Sequence, residues 1–163
     1  ILIHGGAGGV GSFAIQLARH LGAKVATTSS AANHEYLLSL GAHKVIDYKT
    51  QDFTHCVSDY DAVLDTIGGE VAVRSFSVLR SGGRAAFIAS GPKAPLPTRT
   101  DVQALRPQVN RDSAHLERIM KLLQSKAVQI PEITTFALED AAKAHYLSES
   151  RHLRGKLVLM VRH

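Results

Sequence analysis

Five of the seven residues from position 5 to position 11 are glycine, inside the opening run ILIHGGAGGVG, and no other stretch restricts the fold as much. Ile1, Leu2, Ile3 and His4 lead into the cluster as a short apolar or half-apolar run, and residues 12–21 are amphipathic at helical spacing. The order is strand, glycine turn, helix, with Gly6, Gly8 and Gly11 at the G-x-G-x-x-G spacing of a dinucleotide-binding turn. In such a turn the first glycine lets the chain leave the strand tightly. The second, having no Cβ, lets the backbone approach a pyrophosphate, and the third lets the helix pack closely on the sheet. The N–H groups and dipole of the helix's first turn then favour an anion. A P-loop would need Lys after its last glycine, but Gly11 is followed by Ser12. A glycine turn that only packs strand against helix stays open, although it gives no reason for so many glycines.

The 163 residues suffice for one domain with a small appendage. No apolar run approaches the ~20 residues of a membrane span. A net charge of +5 could suit nucleic acid, but the 19 Lys and Arg are scattered, without a basic run or aromatic interleaving. The same balance suits a protein that handles an anionic cofactor. A single cysteine, Cys56, excludes an internal disulfide framework and any cysteine-rich zinc site within these residues. The nine histidines are dispersed, with no H-E-x-x-H spacing. The chain starts in mid-strand without Met, which predicts a piece of a longer protein, with the cytoplasm as the default setting.

Further strands are predicted at residues 24–28, 44–48, 60–66, 84–90 and 102–106, the last stopped by Pro107. Helical patterns cover residues 33–40 and 71–79, the second broken by Ser81-Gly82-Gly83, and residues 51–58 hold one turn at most. Strands alternating with helices every ~20 residues mean βαβ units and a doubly wound parallel sheet, an α/β Rossmann fold of strand order 3-2-1-4-5-6. Beyond Gly91 the rhythm loosens. Residues 113–125 form an amphipathic helix with Leu116, Ile119, Met120 and Leu123 on one face. Strands at 130–136 and 156–161 flank a helix at 138–150, a strand-helix-strand appendage. The domain boundary is placed between residues 1–127 and residues 128–163.

Ligands of an open parallel sheet bind beyond the carboxyl ends of its strands, where the strand order reverses. Here that crevice lies between the first and fourth strands. One lip is the glycine turn; the other is residues 65–69, with residues 89–91 beside it. Thr66, Ile67 and Gly68 would line the redox end of a dinucleotide. Cofactor choice is set at the end of the second strand, where NAD binders place an acid for the ribose 2′-hydroxyl. This chain has Ala26, Thr27, Thr28, Ser29 and Ser30 instead. Hydroxyls and a helix N-terminus accept a 2′-phosphate that a carboxylate would repel, which argues for NADP(H). No Arg or Lys occurs in residues 29–40, and Asn33, His34 and Tyr48 are the nearest alternatives.

The stretches IHGGAGGVGSFAIQLARHLGA, TTSSAANHEYLLSLGAHKVIDYKTQDF, YDAVLDTIGGE, LRSGGRAAFIASG and FALEDAAKAHYLSESRHLRGKLVLMV recur in the order and spacing of one family. Together they resemble the coenzyme-binding part of a medium-chain dehydrogenase/reductase of the zinc-independent quinone oxidoreductase type. That resemblance implies NADPH, held by Gly8, Gly9, Val10 and Gly11 at the pyrophosphate. It places Ser29, Asn33 and Tyr48 at the adenosine-phosphate end, and Thr66, Ile67 and Ser90 near the nicotinamide. Many relatives carry Lys where this chain has Asn33. Arg151 and Arg154 read first as solvated surface charge, with reach to the cofactor as the second reading. The resemblance also implies an N-terminal GroES-like substrate domain absent from this sequence, to which residues 128–163 would return; a homodimer is left open as the assembly. Zinc ligands of the alcohol dehydrogenase branch would lie mainly outside this stretch, and no metal ligand is assigned.

The implied activity is hydride transfer from NADPH to a quinone, enone or similar carbonyl-conjugated acceptor, with the chemistry supplied by the cofactor. No proton donor is legible: none of Tyr36, Tyr48, Tyr60 or Tyr146 has Lys four residues on, and Asp65 reads as a structural carboxylate. No catalytic residue is assigned. The competing classes are a non-catalytic NADP-binding sensor or structural module, a zinc-dependent alcohol dehydrogenase, and a methyltransferase using S-adenosylmethionine. The last usually wants the acid that the second strand lacks.

Overall fold

Leu2 and Ile3 are fully buried and form β1 (Leu2–Ile3), which lies between two neighbours because its side chains are apolar on both faces. The structure is a computed structural model that describes residues 1–89, 91, 93–110, 112–150 and 153–161. Around β1 stand β2 (Ala26–Ser29), β3 (Lys44–Asp47), β4 (Tyr60–Asp65), β5 (Leu79–Phe87) and β6 (Gln103–Leu105). All five pairings are parallel and the order is β3-β2-β1-β4-β5-β6, the doubly wound order expected from the rhythm of the sequence. Helices α1 (Gly11–His20), α2 (His34–Ser39), α3 (Phe53–Cys56) and α4 (Gly69–Arg74) connect the first five strands. Buried apolar residues gather in two clusters. One holds Ile3, Ile15, Val25 and Leu37; the other includes Leu2, Ile46, Phe76 and Phe87, with the two phenyl rings 5.4 Å apart.

Three expectations need correction. Residues 71–79 are not one helix: α4 ends at Arg74, a 3-10 turn covers Ser75–Val78, and β5 begins at Leu79. Ser81-Gly82-Gly83 lies within β5 instead of before it. Tyr60 pairs with Leu79 while Ala62 pairs with Arg84, so the glycines sit in an irregularity that β4 does not match. Gly82 has φ +75° there, and its N–H is taken by Asp101 O at 2.7 Å. The predicted strand ending at Ser90 stops at Phe87.

The appendage is a βαβ unit of its own. In it β7 (Ile133–Ala137) and β8 (Lys156–Met160) pair in parallel as a separate two-stranded sheet, with α6 (Ala141–Glu149) between them. It meets the main sheet at the glycine turn, where Gly155 bridges Gly8 and donates its N–H to Ala7 O at 3.1 Å. The predicted amphipathic helix is α5 (Ser113–Gln124), started by Asp112, whose side chain accepts from His115 N. Its apolar face is uncovered: Leu116, Ile119 and Met120 are exposed. Among the described residues no helix is long and apolar enough to cross a membrane.

Candidate functional site

The glycine turn leaves β1 differently from the simplest expectation. The left-handed residue is Gly5, φ +72°, not Gly6. A Cβ on Gly6 would lie 2.2 Å from Thr27 Oγ1, so Gly6 is needed for contact with β2. Gly11 carries the closest approach: its Cβ would fall 2.2 Å from Gly5 O and 2.8 Å from Gly6 Cα, all backbone. Helix α1 therefore begins against the turn, where Ser12 N donates to Gly8 O at 2.9 Å and Ala14 N to Val10 O at 2.9 Å. Ser12 on that turn is fully buried, and its Oγ has no hydrogen-bond partner among the described residues. Gly8 is open on its outer side, and Val10 is 47% exposed. The side chain of Lys156 crosses Gly9 so closely that a Cβ there would lie 2.9 Å from its Nζ.

A cavity of about 810 Å³ starts at this turn and runs along the carboxyl edge of the sheet. That volume is within the range of cofactor sites. Of the residues singled out in the sequence, Gly8, Thr28, Ser29, Asn33, Tyr48, Thr66 and Ile67 line it together. Gly6, Gly9, Val10, Gly11 and Gly68 support its walls without lining it, and Ser90 lies outside the described residues, as does Arg151. The residues fit an anionic dinucleotide: a Cβ-free turn, a helix start and a hydroxyl-lined end of β2 all face one space.

The opposite lip is built by Asp65, the last residue of β4. Its fully buried carboxylate accepts from Ile67 N at 3.0 Å and Gly68 N at 2.9 Å, which shapes residues 66–68 into a turn. Burial pushes its pKa up, and the two amides oppose that shift. Both oxygens are occupied by backbone, the geometry of a structural carboxylate. Thr66 Oγ1 donates to His4 O at 2.8 Å, tying this lip to β1.

His4 lines the same cavity, although in the sequence it reads only as a half-apolar strand residue. It is 1% exposed and both ring nitrogens are bonded. Thr28 Oγ1 accepts from Gly5 N at 3.2 Å and lies 3.1 Å from His4 Nδ1. Ser75 Oγ donates to Val71 O at 2.7 Å, so its oxygen accepts the Nε2 proton of His4 at 3.1 Å. The chain of donors assigns a neutral ring protonated on Nε2. Phe53 packs edge-on at 4.6 Å, and burial lowers the His4 pKa to about 4. At the far end of the cavity Arg74 pairs with Asp52 and lies over the Phe53 ring. The Thr54 amide first, then Arg74, lower the Asp52 pKa to about 2.

Arg154 is tied to the segment that follows β2. Its Nε donates to Asn33 Oδ1 at 3.1 Å and Nη2 to Ala32 O at 3.3 Å, with the guanidinium 4.8 Å from the Tyr36 ring centroid. No local signal could have found a contact across 121 residues.

Among the described residues no three of His, Cys, Asp and Glu converge as metal ligands. The model of a family described as zinc-binding dehydrogenase matches residues 40–159. A tomato (Solanum lycopersicum) 2-methylene-furan-3-one reductase is 34% identical over 98% of this chain and 39% of its own length. The quinone oxidoreductase of Coxiella burnetii superposes with a TM-score of 0.83 at 37% identity, over 99% of this chain and 52% of that one. The Escherichia coli quinone oxidoreductase complexed with NADPH gives 0.84 at 25% identity, over 98% and 56%. The chain thus spans about half the length, or less, of the proteins it matches. On the match to residues 40–159, the chain belongs to the zinc-binding dehydrogenase family.

Proposed function

We propose that this chain is the NADPH-binding part of an oxidoreductase that reduces quinones, enones or similar carbonyl-conjugated acceptors. The observation that carries this reading is one cavity joining the glycine turn to the acid-free end of β2. The printed activities of the tomato and Coxiella relatives, and the NADPH in the Escherichia coli one, support it. NADPH supplies the hydride when bound. The residues of this chain bind and orient it. The first turn of α1 and Gly8, Gly9, Val10 and Gly11 meet the pyrophosphate, with the Lys156 ammonium beside them. Ser29, Asn33 and Tyr48 take the adenosine-phosphate end. Thr66, Ile67 and Gly68, with Ser90, border the nicotinamide. The hydrogen-bonded unit of His4, Thr28 and Ser75 keeps that wall rigid.

Residues 1–127 form the coenzyme domain in this reading, and residues 128–163 return to an N-terminal GroES-like half that completes the acceptor pocket. The active species is a homodimer in the same reading. The test is NADPH oxidation by the protein with its N-terminal half attached, offered quinones and enones. Acceptor-dependent consumption of NADPH is expected. Tight NADPH binding without oxidation by any of these acceptors would favour a non-catalytic module instead.

A further inference from the structure

We propose that Arg154, carried on the β7–β8 unit, reads the 2′-phosphate of the cofactor, so that nucleotide preference resides in the tail and not in the β2–α2 turn alone. This rests on the NADPH reading above. The turn supplies only hydroxyl and amide groups, since residues 29–40 hold no Arg or Lys. Neutral donors leave the charge of a phosphate dianion uncompensated, whereas a guanidinium meets it with both charge and a fork of donors.

Three different contacts hold the guanidinium at the turn: the Asn33 amide oxygen, the Ala32 carbonyl and the Tyr36 ring. Asn33 itself is oriented by donating from Nδ2 to Ser30 Oγ at 3.2 Å. Asn33, Ser30 and Ser29 line the cavity, and so does Leu153, next to Arg154 in the chain. Of the five N–H donors of an arginine, two are spent on the turn. The neighbouring anion is Glu132, 3.6 Å from Nη1. Both side chains are more than a third exposed, so this pair is weak and solvent-screened.

The backbone explains why the tail reaches this place. Gly155 bridges Gly8 and donates to Ala7 O, which seats the segment on the glycine turn. It has φ +71°, and a Cβ would fall 2.0 Å from Glu132 O, so only glycine allows this crossing. Arg154 is thereby fixed one residue from the pyrophosphate-binding loop. A cation recruited in this way replaces one absent from the β2–α2 turn.

The test is equilibrium binding of NADPH and NADH to the chain and to its Arg154→Gln and Arg154→Lys variants, followed by cofactor fluorescence. Arg154→Gln is expected to weaken NADPH about 10- to 100-fold, the loss of a charge-assisted hydrogen-bond pair, and to leave NADH unchanged. Arg154→Lys is expected to recover part of the NADPH affinity. Retention of a clear NADPH preference by Arg154→Gln would overturn the role of Arg154 while leaving the NADPH reading intact. Equal loss of both cofactors would make Arg154 a strut for the tail and also overturn it. A parent chain without preference for NADPH would overturn the NADPH reading itself.

Discussion

Replacing Gly11 with alanine is expected to destabilise the chain by about 3–5 kcal/mol and to abolish cofactor binding. The added methyl would lie 2.2 Å from Gly5 O, 2.8 Å from Gly6 Cα and 2.9 Å from Gly5 C. None of these atoms belongs to a side chain that could rotate away. Relief requires α1 to move off the turn, which would pull the buried Ile15 from its cluster and displace the first-turn N–H groups. Alanine at Gly8 is the contrast, since its Cβ would meet only Gly5 O, at an ordinary 3.5 Å. Denaturant unfolding of the two variants checks the difference. Equal stability of Gly11→Ala and Gly8→Ala would show that α1 does not depend on that approach.

The second large effect is a loss of stability with acid, from His4. Its pKa falls from 6.5 in the open chain to about 4 in the fold because burial disfavours the imidazolium. Between those values the unfolded chain binds the proton and the folded chain does not. The contribution is therefore complete above pH 6.5 and is lost as pH falls towards 4, amounting to about 3 kcal/mol at most. Protonation would also turn Nδ1 from an acceptor into a donor, so the Thr28 hydroxyl would have to turn its proton away. Asp65 acts in the opposite direction: its raised pKa makes the fold lose stability as pH rises above 3.8. A comparison isolates the histidine. Urea unfolding across this window should show a steeper pH dependence for the parent chain than for His4→Gln. Equal slopes would mean that His4 titrates in the fold as it does in the open chain.

Strand order, the glycine turn and the facing lip were legible because each rests on short-range patterns. Periodicity marks the strands, and glycine spacing marks the turn. The acid-free end of β2 could also be read, since the absence of a residue type at a fixed offset is local information. What escaped depends on contacts between distant positions. His4 looks like any half-apolar strand residue until Thr28 and Ser75 close on its two nitrogens. The glycines at 82 and 83 look like a stop signal, yet β5 passes through them because β4 and Asp101 hold the chain on either side. The apolar face of α5 is legible from the spacing of Leu116, Ile119, Met120 and Leu123. Its burial was not inferable from these residues, because the described chain holds nothing that covers it. Arg154 reads as a cofactor candidate only through the resemblance, and the crossing of Gly155 over Gly8 is what brings it to Asn33.

The central claim is that a dinucleotide lies along the carboxyl edge of β2, β1 and β4, from Asn33 past Gly8 to Ile67. Amide NMR of the chain during titration with NADPH tests it most directly. The account predicts shifts concentrated at Gly8, Gly9, Val10 and Gly11, at Ser29 and Asn33, and at Thr66, Ile67 and Gly68. A second cavity opens between α1 and α2, lined by Gln16, His20 and Gln129. Shifts confined to those residues, with the glycine turn unmoved, would contradict the account.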